Sequence, residues 1–134
     1  MLPTLLKTLP ISYPNVPMIK IKRVYDPPAK SDGVRILVDR LWPRGLTEEE
    51  AQVTEWRREI APSDQLRKWY GHKLEKWDEF RKRFTIELNK EEPRKYLAVL
   101  RERAKKEVIT LVYGSKDTEH NNAVVLRELL ARAM

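Results

Sequence analysis

Residues 34–45 (VRILVDRLWPRG) constrain the fold more than any other stretch. Residues 34–38 form a short apolar run rich in β-branched side chains, bounded by Asp32-Gly33 before it and by Pro43 and Gly45 after it. The run is too short for a helix and its punctuation is turn-like, so it predicts a buried strand. Where it ends, Asp39, Arg40 and Arg44 gather beside Trp42. A strand that empties into charge marks the place where a core element reaches solvent. In an open parallel sheet, ligands bind in the crevice beyond the carboxyl ends of the strands.

A second run, residues 108–113 (VITLVY), is the strongest strand signal in the chain and stops at Gly114. Ser115, Lys116, Asp117 and Thr118 lead from it into a closing helix. Asp117 or Thr118 is its expected cap, and Val124, Val125, Leu129 and Leu130 supply its buried side. Strand, polar loop and helix N-terminus form a common anion-binding arrangement, because free backbone N–H groups point out of the first turn. Residues 19–25 alternate apolar and basic side chains, which predicts a strand with one buried face. The connection from there to Val34 is short, whereas a parallel pair needs a crossover of about a dozen residues or more. The spacing therefore leans towards an antiparallel hairpin.

The rest of the pattern is mainly helical. Thr47 and Glu50 have the spacing of a capping box, so a short helix begins at Glu48. Residues 53–61 read as irregular or extended, with Trp56 against the core. Ser63 caps and Gly71 closes a helix over residues 64–70. Leu74, Trp77, Phe80, Phe84 and Leu88 recur every three or four residues, the stripe of a longer helix facing the core. Pro93 suits the first turn of another, with Tyr96, Leu97, Leu100 and Ala104 inward. Residues 1–17 carry Pro3, Pro10, Pro14 and Pro17 and read as an extension, a flexible arm or a misplaced start, ahead of a single domain over residues 18–134.

The 134 residues suit one core. The absence of cysteine excludes disulfides, cysteine-ligated zinc and a thiol nucleophile. With His72 and His120 as its two histidines, the chain is expected to hold no metal and no cofactor. No long uncharged apolar stretch predicts a membrane helix, and a cytoplasmic location is expected. A formal charge of +7 favours anionic partners. The four glycines are isolated and no Gly-x-x-x-x-Gly-Lys phosphate loop occurs. Many Lys, Arg and Glu with few Asn and Gln give a thermophile-like composition.

Taken in order, residues 19–25, VRILVDRLWPRG at 34–45, APS at 61–63, LRKWYGH at 66–72 and LVYGSKDTEHNNAVVL at 111–126 resemble the YeaO-like family, a domain of unknown function in small bacterial and archaeal proteins. The resemblance covers residues 18–130. It implies an α/β fold, a small, mostly parallel central sheet flanked by helices, in which the strands at Val34 and Val108 lie parallel. Related proteins often hold cysteines in the loop that matches residues 113–123; this chain has none there.

Parallel strands would bring Asp39 and Arg40 to the same edge as Ser115, Lys116 and Asp117, within reach of Arg44, His120 and Asn121. Arg40 and Arg44 offer planar forks for phosphate or carboxylate, and Lys116 adds a point charge. His120 and Asp39 are the candidate proton carriers. Each residue also has a structural reading. Asp39 can pair with Arg40 or Arg44 to fix the turn, Lys116 and Asp117 can be a solvated loop and helix cap, and His120, in the helix's first turn, can bond a neighbouring carboxylate. The tryptophans read as core, the Arg67-Lys68 and Arg81-Lys82-Arg83 clusters as exposed helix faces, and His72 as a residue that can face the crevice. The expected function is binding of a small anionic, phosphate- or nucleotide-bearing ligand, with acid–base or hydrolytic chemistry as an extension of it. The alternatives are a nucleic-acid-binding module and a protein-interaction domain; oligomeric state is left open.

Overall fold

The computed structural model describes residues 19–132; the expected Pro-rich extension over residues 1–17 lies outside them. Four strands, β1 (Ile19–Arg23), β2 (Val34–Leu37), β3 (Glu55–Trp56) and β4 (Ile109–Tyr113), form one sheet in the order β1-β4-β2-β3. Every neighbouring pair is parallel. Among the described residues five α-helices flank it: α1 (Glu48–Ala51), α2 (Asp64–Tyr70), α3 (Trp77–Leu88), α4 (Glu91–Arg103) and α5 (Asn122–Arg132). This is an α/β fold.

β4 is central and all five of its residues are buried, which is why residues 108–113 read as an unbroken apolar run: an inner parallel strand is covered on both faces. Alternation sorts the side chains. Ile36, Val38, Ile109, Leu111 and Tyr113 join Phe80, Phe84, Leu100, Leu126 and Leu130 in the main core. Leu37 and Val112 belong to a smaller cluster with Val24 and Ala51, against which Trp42 and Trp56 pack edge to face. All four tryptophans are half-buried against one of these clusters.

Three local expectations are corrected. No hairpin joins β1 and β2, because β4 lies between them. Residues 24–33 return to the start of β2 with no α-helix, only a 3-10 turn over Lys30–Asp32. The return is held by β1's own lysines: Lys20 donates to the Ser31 carbonyl, and Lys22 to the Pro27 carbonyl and the Asp32 carboxylate. A five-residue strand is only about 17 Å long, so so short a return suffices. Second, the closing helix starts at Asn122 rather than after Asp117 or Thr118. Third, Leu74 stands outside the core, 59% exposed, in a 3-10 turn (Leu74–Lys76) that precedes α3. The capping box at Thr47 and the Ser63 cap form as their spacing requires.

Candidate functional site

The carboxyl ends of β2 and β4 are fastened by Asp39. Its Oδ2 accepts from the Gly114 backbone N–H at 2.8 Å, and its Oδ1 from the Asn122 side-chain amide at 3.1 Å. The same amide donates to the Val38 carbonyl at 2.8 Å, while the Trp56 indole donates to the Asp39 carbonyl at 2.8 Å. One residue thus ties together both central strand ends, the start of α5 and the edge strand β3. Burial pushes the Asp39 carboxyl above its ordinary value; the Gly114 and Asn122 hydrogen bonds and the positive charges of His72 and Arg67 oppose that rise.

Beyond these ends opens a cleft of about 600 Å³, within the size range of small-ligand sites. Asp39, Arg40, Arg44, Ser115, Lys116, Asp117 and Asn121 all line it. The two strand ends therefore converge on one cavity, as the parallel arrangement requires. The individual roles differ. Arg40 is turned to protein: its Nε donates to the Pro62 carbonyl at 2.8 Å, and Nη2 reaches the Arg58 and Ala61 carbonyls at 3.4 Å each. Arg44 and Lys116 are exposed, and among the described residues their side chains have no hydrogen-bond partner within 3.5 Å. Asp39 pairs with neither Arg40 nor Arg44.

The Gly114–Asn122 turn is built on side-chain acceptors. The Ser115 hydroxyl accepts from the Asp117 N–H at 3.1 Å. Asp117 Oδ1 accepts from the Glu119 and His120 N–H groups at 2.9 and 3.0 Å, and Oδ2 lies 3.0 Å from His120 Nδ1. The Glu119 N–H and the His120 side chain and N–H hold the Asp117 carboxyl below its ordinary value, against a smaller opposing effect of burial. Asn121, 2% exposed, is the cap of α5: Oδ1 accepts from the Val124 N–H at 3.1 Å while Nδ2 donates to the Asp117 carbonyl at 2.8 Å.

His120 does not line the cleft. It sits in the turn before α5, not in the helix's first turn, bonded to Asp117 with its ring perpendicular to Trp77 at 5.3 Å. The imidazole that does line the cleft is that of His72, exposed and in the left-handed region at φ 58°. A non-glycine residue there is uncommon and a frequent companion of functional sites. Arg67 also lines the cleft, half-buried rather than on an exposed face, and its Nε is buried with no hydrogen-bond partner among the described residues while Nη2 binds Asp64. Tyr25, from just beyond β1, and the stacked pair Tyr70 and Phe80 supply aromatic lining. His72 had been read as a residue that can face the crevice; Tyr25, Arg67, Tyr70 and Phe80 had not, and their signal, aromatic and basic residues beyond β1, in α2 and in α3, becomes visible only once the strands are ordered.

Among the described residues no group of three or more His, Asp or Glu side chains is placed to hold a metal ion, and no helix is long and apolar enough to cross a membrane.

The family model described as the inactive DUF488-N3 subclade matches residues 18–134. The chain is 45% identical over 113 residues to the Escherichia coli (strain K12) protein named "Uncharacterized protein YeaO", covering 84% of this chain and 96% of that one. It is 38% identical over 112 residues to "Uncharacterized protein Rv3073c" of Mycobacterium tuberculosis (strain ATCC 25618 / H37Rv), covering 84% and 92% respectively. No solved structure matches it at a significant level.

Proposed function

This chain belongs to the YeaO-like DUF488 family, in the subclade described as inactive, and from that membership and the cleft's geometry we propose that it binds a small anionic ligand without turning it over. The observation that carries the reading is the pairing of Arg44 and Lys116, two cations without hydrogen-bond partners among the described residues, on a cleft at the carboxyl ends of two parallel strands. Arg44 offers a planar fork to a phosphate or carboxylate, and Lys116 a mobile charge. Binding without chemistry fits the two groups that the sequence marked as proton carriers. Both Asp39 oxygens already accept hydrogen bonds from protein donors, and the His120 imidazole is engaged by Asp117 outside the cleft.

A thermal-shift series with inorganic phosphate, sugar phosphates, nucleotides and short oligonucleotides, at low and moderate salt, tests the reading. A ligand that binds only the folded chain raises the melting temperature by mass action. A shift with a small phosphorylated compound that disappears in Arg44→Ala and Lys116→Ala supports it. A shift confined to oligonucleotides, fading steeply with salt, would replace it with nucleic-acid binding.

A further inference from the structure

Tyr25 is a large hydrophobic residue left 39% exposed, and it stands on the cleft. It is nonetheless held at both ends. Its hydroxyl donates to the Arg44 carbonyl at 2.8 Å, and the Arg23 guanidinium lies over its ring, 5.1 Å from the centroid. Arg23 is itself fixed, its Nε donating to the Ser115 carbonyl at 2.9 Å. The ring is therefore locked to the two loops that carry Arg44 and Lys116. Leu41, 57% exposed, lines the same cleft. Exposed apolar surface beside cations that are unpaired among the described residues suits a ligand with two parts, one flat and apolar, the other anionic.

We propose that Tyr25 is a stacking platform, and that the ligand of this cleft is a planar aromatic group joined to a phosphate. The proposal rests on the anion-binding reading above and specifies its ligand class. A ring already immobilised loses little conformational freedom when a second ring stacks on it, so the contact adds to affinity instead of offsetting an ordering cost. A cation over one face leaves the other face for the ligand, and the ring's anchoring to the Arg44 loop keeps the stacked group near the charges that take the phosphate. Aromatic stacking of this kind is sequence-tolerant in nucleic-acid proteins because every base has a π face; the same tolerance admits a nucleobase or a simple aryl ring here.

Calorimetric titration of the full chain with phenyl phosphate, adenosine monophosphate, glycerol phosphate and inorganic phosphate separates the parts. The expected result is that an aryl-bearing ligand binds at least about fivefold more tightly than glycerol phosphate, the lower end of a stacking contribution. Tyr25→Leu and Tyr25→Phe both lose the hydroxyl bond to the Arg44 carbonyl, so the ratio is read within each variant: it should fall close to one in Tyr25→Leu and stay well above one in Tyr25→Phe, which keeps the ring. Comparison of phenyl phosphate with adenosine monophosphate tells a phenyl ring from a nucleobase, and preference for either over glycerol phosphate sustains the proposal. If the aryl and alkyl phosphates bind the parent chain equally, or Tyr25→Leu leaves the ratio unchanged, the platform is overturned while the anion site survives. If no phosphate binds, the anion site falls and takes the platform with it. A ratio of one in the parent chain overturns the platform even if a variant fails to fold.

Discussion

Asp39 receives two donors at once, Gly114 N–H on one oxygen and the Asn122 amide on the other, so an amide in its place must turn a donor towards a donor. Asp39→Asn is therefore expected to lower stability by about 1–3 kcal/mol, the cost of an unsatisfied part-buried group, measured by urea unfolding; an unchanged midpoint would show that the fastening is dispensable. Its titration has a definite sign. Because burial raises this carboxyl in the folded chain, the folded state holds the proton more tightly than the unfolded one. The stability this group contributes is full below the unfolded carboxylate pKa and is lost as pH rises through the raised folded value. A carboxyl-carbon NMR titration should place its midpoint above 3.8, the ordinary value, and Arg67→Ala should move it higher by removing a positive charge that opposes the rise. A midpoint at or below 3.8 would contradict the burial argument. At this scale the sequence made Asp39 visible as the acid where an apolar run stops. It could not tell His120 from His72, because their placement depends on the turn that Asp117 and Ser115 impose through side-chain bonds to backbone, and on the reversal at Gly71-His72.

Gly33 shows how an element boundary fixes the sheet. It adopts φ 63° and ψ −132°, and a Cβ there would come 2.3 Å from the Val108 carbonyl oxygen, the group that receives the Val34 N–H at 3.0 Å. Gly33→Ala combines a backbone conformation nearly confined to glycine with a clash against backbone that cannot swing aside, so it should cost at least about 2 kcal/mol. Thermal unfolding would measure it, and a neutral result would mean that β2 can shift against β4. At the opposite edge, Asn121→Ala removes the α5 cap and a bond to the Asp117 carbonyl, an expected loss of about 1–3 kcal/mol. Asn121→Ser, which keeps a capping oxygen, should recover part of it; no recovery would assign the loss to the Asp117 bond alone. Helix starts at Thr47 and Ser63 were legible because one side chain decides each. The hairpin lean failed for a different reason: the partner of β1 lies ninety positions later in the chain (Ile19 against Ile109), and loop length reports only on neighbours.

Across the whole molecule, basic side chains on the helices meet acids: Arg81 with Glu128, Arg83 with Glu79, Lys95 with Glu91, Arg103 with Glu55 and Glu107. Such surface pairs each add little stability, but among the described residues they set acids beside these helix cations, so the basic side chains are interrupted by acidic ones. That favours a local anion site over a long nucleic-acid track. The individual strands and helices were legible from the buried runs and amphipathic stripes, and the α/β class with its parallel sheet was implied by the family resemblance; the strand order was not legible, since it depends on which strand both faces cover. The same view bears on residues 1–17. The family match begins at residue 18, β1 begins at Ile19, and among the described residues those lining the cleft fall between Tyr25 and Asn122. A chain starting at Met18 is therefore expected to melt within about 2 °C of the full chain and to bind phenyl phosphate within about twofold of its affinity, with the same oligomeric state by light scattering. A lower melting temperature or lost binding would make the first seventeen residues part of the domain. A change in oligomeric state alone would mark them as an arm that engages a second chain.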